Sequence, residues 1–422
     1  MNMEKIDLEK GIRLFVLPTD KFKTVTTSFC FHRDLDDDYT YNALIPAVLR
    51  RGCEGFTTLK DIQRHLESLY GAQFSVGVQK KGERQILRFS MEVVNDEYVA
   101  EQGLLAQSLY FLNRIINRPV LHEGRFIKSY VEQEKENLKN RIRSLINDKI
   151  QYSLERCVQE MCRDEKYSRY VFGSEEELDN LDADRLYSVY KDIVRSSPLD
   201  IYVVGNVDPE KVKLLLERSL SMERRQIKSI PITPYKKLQI KQKTVTEEID
   251  VNQGKLVIGF RTNINAQDKM YFPLLVYSSI LGGGPHSKLF INVREKASLA
   301  YYAFARLEKF KGLMFVSAGI DVDKDEQTLD IIMEQLNAMT KGDITQQEYE
   351  GAVNSLINSL KGIADQPSHL IDYYLDNSIT ESNITLEDYI ERIENVNIDQ
   401  IVEVSNNVVM DTVYFLTNKK KG

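Results

Sequence analysis

Arg294 and Tyr301 stand seven residues apart in the stretch LGGGPHSKLFINVREKASLAYY, Leu281 to Tyr302, and both side chains end in hydrogen-bond donors. Two donors aimed at one point can hold a peptide carbonyl and stabilise the oxyanion that forms when it is attacked. In a site cleared of water the effect is on the order of 3 kcal/mol per donor. The same stretch shows the elements that must position them. Gly282, Gly283 and Gly284 end one apolar helix, where glycine tolerates a left-handed conformation, and Pro285 opens the next. Leu289, Phe290, Val293 and Ala297 recur at helical spacing, which puts Arg294 in the last turn of a short helix, before a strand that starts near Ala300. Both residues also have a plain structural use: an arginine in a last turn complements the helix dipole, and a tyrosine fills a strand face.

The stretch resembles the C-terminal half of the insulinase, or pitrilysin-type, zinc metallopeptidases. Their pattern here reads approximately L-G-G-G-x-x-S-R-L-F-x-x-V-R-E-K-x-x-L-A-Y. It is matched at Leu281 to Gly284, Leu289 and Phe290, Val293 to Lys296, and Leu299 to Tyr301, with Ser287 and Lys288 where the family has Ser-Arg. The resemblance implies that Arg294 and Tyr301 are the substrate-carbonyl pair and that Gly282, Gly283 and Gly284 belong to a substrate-binding segment.

The resemblance also implies a zinc held by H-x-x-E-H on a helix of the N-terminal half, and that motif does not occur. The histidines are His32, His65, His122, His286 and His369, no two close enough in sequence to share a helical face. Aligned on Gly55, the two family histidines fall on Pro46 and Arg50 and the glutamate on Leu49, and none of these donates to zinc. A further family ligand, a glutamate on a later helix, falls at Glu132 or Glu134, and one carboxylate does not hold the ion. No metal is expected in this chain, and zinc is expected in a partner.

No other catalytic signature competes. Cys157 and Cys162 are five apart, which is no zinc spacing, and Cys30 and Cys53 stand alone. Free thiols of this number suit a reducing compartment, and the cytoplasm is the expected location. No P-loop, dinucleotide or G-x-S-x-G motif appears. With 42% hydrophobic and 28% charged residues in a length of 422, the chain has material for two cores. Its N-terminus is too charged for a signal peptide, and no apolar run reaches the roughly 20 residues of a membrane span. A net charge of −7, with basic residues bunched only at Lys419 to Lys421, argues against nucleic acid.

Residues 43 to 74 can be laid over 273 to 304 at a constant offset of 230, matching Leu44 with Leu274, Gly52 with Gly282, Arg64 with Arg294 and Phe74 with Phe304 among others. Each copy reads as an apolar helix, a glycine break, a shorter helix and a hairpin, at Gln73 to Val93 and at Tyr301 to Ile320. Strands at Ile12 to Leu17, Thr24 to Phe31, Ile201 to Val204, Lys255 to Phe260 and Val413 to Leu416 complete the pattern. Long helices are expected over Glu123 to Met161, broken near Asp148, and over Thr345 to Ile363. The fold class is α+β, as two homologous domains, each a mixed, mostly antiparallel sheet with helices packed on one face. The expected division is 1–218 for a peptidase-like domain with a degenerate zinc site, 219–243 for a linker, and 244–422 for a domain carrying Arg294 and Tyr301. The resemblance implies that the two face each other as a clam shell.

The expected function is that of a non-catalytic subunit in a two-chain zinc peptidase. Its partners would be an H-x-x-E-H-bearing homologue, as a heterodimer, and a peptide substrate, with a homodimer open when the chain is alone. One alternative is a peptide-binding or scaffold protein with no part in chemistry. Another is a subunit resembling the α chain of the mitochondrial processing peptidase, which recruits substrate through its glycine-rich loop.

Overall fold

A computed structural model describes residues 3–8, 11–237 and 239–418, so the Lys419 to Lys421 tail lies outside the described residues. The chain runs β1 (Glu4–Asp7), β2 (Ile12–Pro18), β3 (Thr24–Asp34), α1 (Tyr39–Leu49), α2 (Leu59–Ser68), β4 (Gln73–Lys81), β5 (Arg84–Val94) and α3 (Leu104–Asn117). A two-stranded ribbon of β6 (Leu121–His122) and β7 (Arg125–Phe126) precedes α4 (Lys128–Ser144) and α5 (Lys149–Met161). The expected helix over Glu123 to Met161 therefore begins later, because Glu123 and Gly124 take left-handed conformations at the tip of the ribbon. Its break falls at Asp148, whose carboxylate accepts from the backbone of Ile150 and Gln151 and caps α5. There follow α6 (Glu175–Asp179), α7 (Ala183–Ser196), β8 (Leu199–Gly205) and α8 (Pro209–Ser219).

After a stretch without helix or strand come β9 (Lys243–Glu248), β10 (Gly254–Arg261), α9 (Tyr271–Gly282), a π-helical turn (Phe290–Lys296), β11 (Ala300–Glu308) and β12 (Leu313–Ile320). The chain then runs through α10 (Asp325–Thr340), α11 (Gln346–Ile363), α12 (Pro367–Ile379), α13 (Leu386–Glu394), α14 (Ile398–Ser405) and β13 (Val409–Thr417).

These elements form two sheets of one design. The first has the order β1-β2-β8-β3-β5-β4 and the second β11-β12-β10-β13-β9. Read from the hairpin edge, β4-β5-β3-β8-β2 and β11-β12-β10-β13-β9 have the same senses: three antiparallel pairings and then a parallel one. The repeat seen in the residues is thus a repeat of topology, with β1 an addition to the first sheet. β2 and β3 are not neighbours, because β8 returns between them and bonds to both.

Two compact units result. One comprises the described residues of Met1–Arg143 with Arg169–Ile232 and Gln366–Asp376; the other comprises Ser144–Ser168, Thr233–Asp365 and the described residues of Asn377–Gly422. Each unit thus takes a segment from the other half of the sequence. In the second, α5 lays Leu154, Cys157, Val158 and Met161 against Val257, Phe315, Tyr414 and Leu416 of the sheet. These apolar positions recur at helical spacing, and burying each is worth about 1.5 to 3 kcal/mol for the larger side chains. In the first unit, Phe29, Phe31, Leu87 and Phe89 of β3 and β5 pack in a core with Leu44, Val48, Leu109 and Leu112 of α1 and α3. Among the described residues, no helix is long and apolar enough to cross a membrane.

Candidate functional site

The corner from α9 to β11 is built by close packing. Gly282 ends α9 so near β11 that a Cβ on it would lie 2.2 Å from the backbone nitrogen of Ala305. Close approach, rather than a left-handed turn, is the reason for glycine here. Gly283, the capping residue, is right-handed at φ −85°. Pro285 sits in a turn and opens no helix directly. Ser287 is fully buried, and the buried Lys288 ammonium lies 3.0 Å from both carboxylate oxygens of Glu348. Glu348 also caps α11 through Thr345, so the segment before Arg294 is tied to that helix.

Arg294 lies on a π-helical turn instead of the expected α-helix. Ala297 donates to the carbonyl of Asn292, five residues back, at 3.2 Å, and Leu299 donates to that of Val293 at 3.0 Å. Ser298 closes the turn with φ +53°. Such turns shift the face on which later side chains emerge, and apolar spacing alone does not separate them from an α-turn. The Arg294 guanidinium stands over the Phe290 ring, 4.5 Å from its centroid.

Tyr301 occupies a second irregularity. Ala300 pairs with Ile320 and Tyr302 with Gly319, so Tyr301 is the extra residue of a bulge in β11. It is 65% exposed, and its hydroxyl donates to Asp321 Oδ1 at 3.4 Å. The neighbouring Tyr302 turns inward and stacks on Phe304, and burial pushes its phenol up to about 12. Arg294 and Tyr301 line one open depression of about 440 Å³ together with Ser298 and Asp321. Gly282, Gly283 and Gly284 are not part of its lining. Asp321 follows directly on β12 and has no signature in the sequence beyond its place opposite the hairpin start.

The expected zinc position lies on α1. Of the three residues there, Pro46 and Arg50 line a cavity of about 380 Å³, whereas Leu49 is 2% exposed and packs in the core. The helix face on the cavity is Ala43, Pro46, Ala47, Arg50 and Arg51. The i, i+3, i+4 spacing of H-x-x-E-H falls wholly on that face at Ala43, Pro46 and Ala47 and again at Ala47, Arg50 and Arg51. Neither set carries a zinc donor, and among the described residues no group of three His, Cys, Asp or Glu could hold a metal ion. The residues do not fit the zinc that the resemblance implies.

Glu134 lines the same cavity; Glu132 does not, and lies near Lys135 at 3.5 Å. Glu134 is held by Arg51 Nη1 at 3.2 Å. Arg141 completes the wall, its guanidinium 3.8 Å from the Phe172 ring centroid. Arg51 and Arg141 went unmarked in the sequence. Their signal was the Arg50-Arg51 pair just past α1 and the seven-residue step from Glu134 to Arg141 along one face of α4. Cys30, Cys53, Cys157 and Cys162 are all buried free thiols, and burial pushes Cys30 up to about 12 and Cys53 up to about 11.

Known proteins share this architecture. A family model described as the Peptidase M16 inactive domain matches residues 180–356. Over 408 residues, 96% of this chain and 96% of the relative, the chain is 38% identical to a Bacillus subtilis (strain 168) protein described as probable inactive metalloprotease YmfF. A solved structure of a conserved protein from Enterococcus faecalis V583 has a TM-score of 0.92 to this chain at 30% identity, covering 100% of both. That of a protease from Helicobacter pylori has a TM-score of 0.84 at 17% identity, covering 99% of both, and so shares the fold.

Proposed function

We propose, from the premise that this chain belongs to the M16 peptidase family as an inactive, metalloprotease-like member, that it is the non-catalytic subunit of a two-chain peptidase. A homologue bearing H-x-x-E-H would hold the zinc and carry the hydrolytic chemistry. Arg294 and Tyr301 of this chain would bind the substrate carbonyl. The observation that supports this is their convergence: a π-helical turn and a β-bulge bring both side chains to one depression. Arg294 brings a charge-assisted donor and Tyr301 a neutral one. The Tyr301 bond to Asp321, at 3.4 Å, is long for an O–H donor and is readily exchanged for a carbonyl. Four buried free thiols suit a cytoplasmic setting.

The test is reconstitution with an H-x-x-E-H homologue, with peptide cleavage measured for each chain alone and for the two together. This chain alone should be inactive. In the mixture, Arg294→Ala and Tyr301→Phe should each lower turnover by roughly tenfold or more. Unchanged turnover would leave the second reading, a peptide-binding scaffold with no catalytic part. The open, solvent-facing position of Tyr301 favours that second reading.

A further inference from the structure

The cavity beside α1 is rich in arginine. Arg50, Arg51 and Arg141 line it, and Glu134 is its single acidic residue. Two of the three guanidiniums are held against aromatic rings: Arg141 on Phe172, and Arg51 on Tyr130 at 4.7 Å. Arg51 donates through Nη1 to Glu134 and through Nη2 to Gln133, and its Nε is buried without a hydrogen-bond partner. Arg50 is exposed at the mouth and forms no ion pair with any described residue. An anion site made of guanidiniums suits a planar carboxylate, which accepts two parallel N–H bonds.

The other walls say where the carboxylate comes from. Val76, Gly77 and Val78 of β4 line the cavity, and among the described residues β4 is the outermost strand of its sheet, paired with β5 alone. An extended peptide that pairs with this free edge is delivered to the arginines. Leu59 and Phe172 offer apolar surface to a terminal side chain. We propose that this cavity binds the C-terminal carboxylate of a peptide, with Arg50 and Arg51 as its donors. A guanidinium pair thus supplies positive charge where the resemblance places a metal. The inference rests on reading this chain as a peptide binder, but not on Arg294 or Tyr301.

Calorimetric titration of the full chain tests it. The probes are one peptide long enough to form a strand and ending in leucine, made as the free acid and as the C-terminal amide, and inorganic phosphate alone. The free acid should bind about tenfold or more tighter than the amide. Arg50→Ala should erase that difference, while Lys60→Ala, an equal charge change on the exposed face of α2, should preserve it. Phosphate should compete with the acid and not with the amide. Equal binding of acid and amide, binding of neither, or a difference that survives Arg50→Ala would overturn the proposal. Phosphate binding with no preference between acid and amide would overturn it too, as a mere anion site. These outcomes are independent of the turnover test, so either reading can fail alone.

Discussion

Arg294 and Tyr301 reach one depression from two elements that each break their own regular pattern, Arg294 from a π-helical turn and Tyr301 from the bulged position of β11. In an unbroken strand, adjacent side chains point to opposite faces. Tyr301, the unpaired residue of the bulge, faces solvent, while Tyr302 stacks on Phe304. Irregularities of both kinds occur at sites where a side chain must be re-aimed.

The two adjacent tyrosines should therefore separate function from stability. Tyr301→Phe should leave the urea midpoint of the chain unchanged, since the ring is exposed, while lowering turnover in the reconstituted pair. Tyr302→Phe removes a hydroxyl from inside the unit and should shift stability by no more than about 1 kcal/mol, leaving turnover intact. Equal effects of the two on turnover would show that the corner acts only as a packed unit.

Gly282 carries the positioning of that corner. A Cβ placed 2.2 Å from the Ala305 backbone nitrogen cannot be relieved by a rotamer change, so α9 and β11 must move apart. Gly282→Ala should cost about 1 to 3 kcal/mol, in the range for overpacking. It should also weaken any function of Arg294 and Tyr301, whereas Gly362→Ala in α11, where a Cβ meets nothing within 4 Å, should cost nothing. Urea unfolding of the two variants side by side checks the order.

Much of this was legible in the residues. The hairpin strands, the helix break near Asp148 and the helix over Thr345 to Ile363 follow from apolar spacing, and the structure adds the caps at Asp148 and Thr345. The family corner was legible because matched residues there are dense. What sequence spacing could not show depends on hydrogen bonds or on distant pairing. A π-turn and an α-turn share one apolar pattern over Leu289 to Ala297. The return of β8 between β2 and β3 is a choice of partner that neither strand records. The packing of α5 in the second unit has the same origin, since an amphipathic face does not name the sheet that it covers. The expected positions Pro46, Leu49 and Arg50 do not share one face of α1, since Leu49 packs in the core while the other two line the cavity, and sequence spacing does not record that burial.

Acid should weaken the second unit through Glu165. Burial alone would raise its carboxyl, but bonds from Arg261 at 2.6 and 3.2 Å and from Lys311 at 2.8 Å reverse this and hold it at about 2, against an ordinary 4.5. A depressed carboxylate stabilises the fold fully above its unfolded value. That contribution is lost as the pH falls from about 4.5 to about 2, and amounts to on the order of 3 kcal/mol. Glu165→Gln should flatten the acid dependence in this window while lowering stability at pH 7, where Arg261 keeps Asp411 as a partner at 3.0 Å. The chain has no tryptophan, so far-ultraviolet circular dichroism in urea is the suitable readout. Parallel pH curves for the two proteins would assign the acid limb to other groups.

The face that α1 turns to its cavity should accept an engineered zinc site in a register that lies wholly on it and not in one that runs through Leu49. Dialysed against zinc, the unaltered chain should retain less than a stoichiometric amount, since no set of donors converges there. Ala43→His with Pro46→Glu and Ala47→His puts two imidazoles one turn apart on the lining face, opposite Glu134, and removes a proline from inside the helix. With Arg51→Ala added to release Glu134, this variant should hold zinc through dialysis, as metal analysis would show. The alternative set, Pro46→His with Leu49→Glu and Arg50→His, buries a carboxylate where Leu49 is 2% exposed. It should lose about 3 kcal/mol or more of stability and hold no metal. Zinc retained by the second set and not by the first would reverse the assignment, and Leu49 would then have to face the cavity rather than the core.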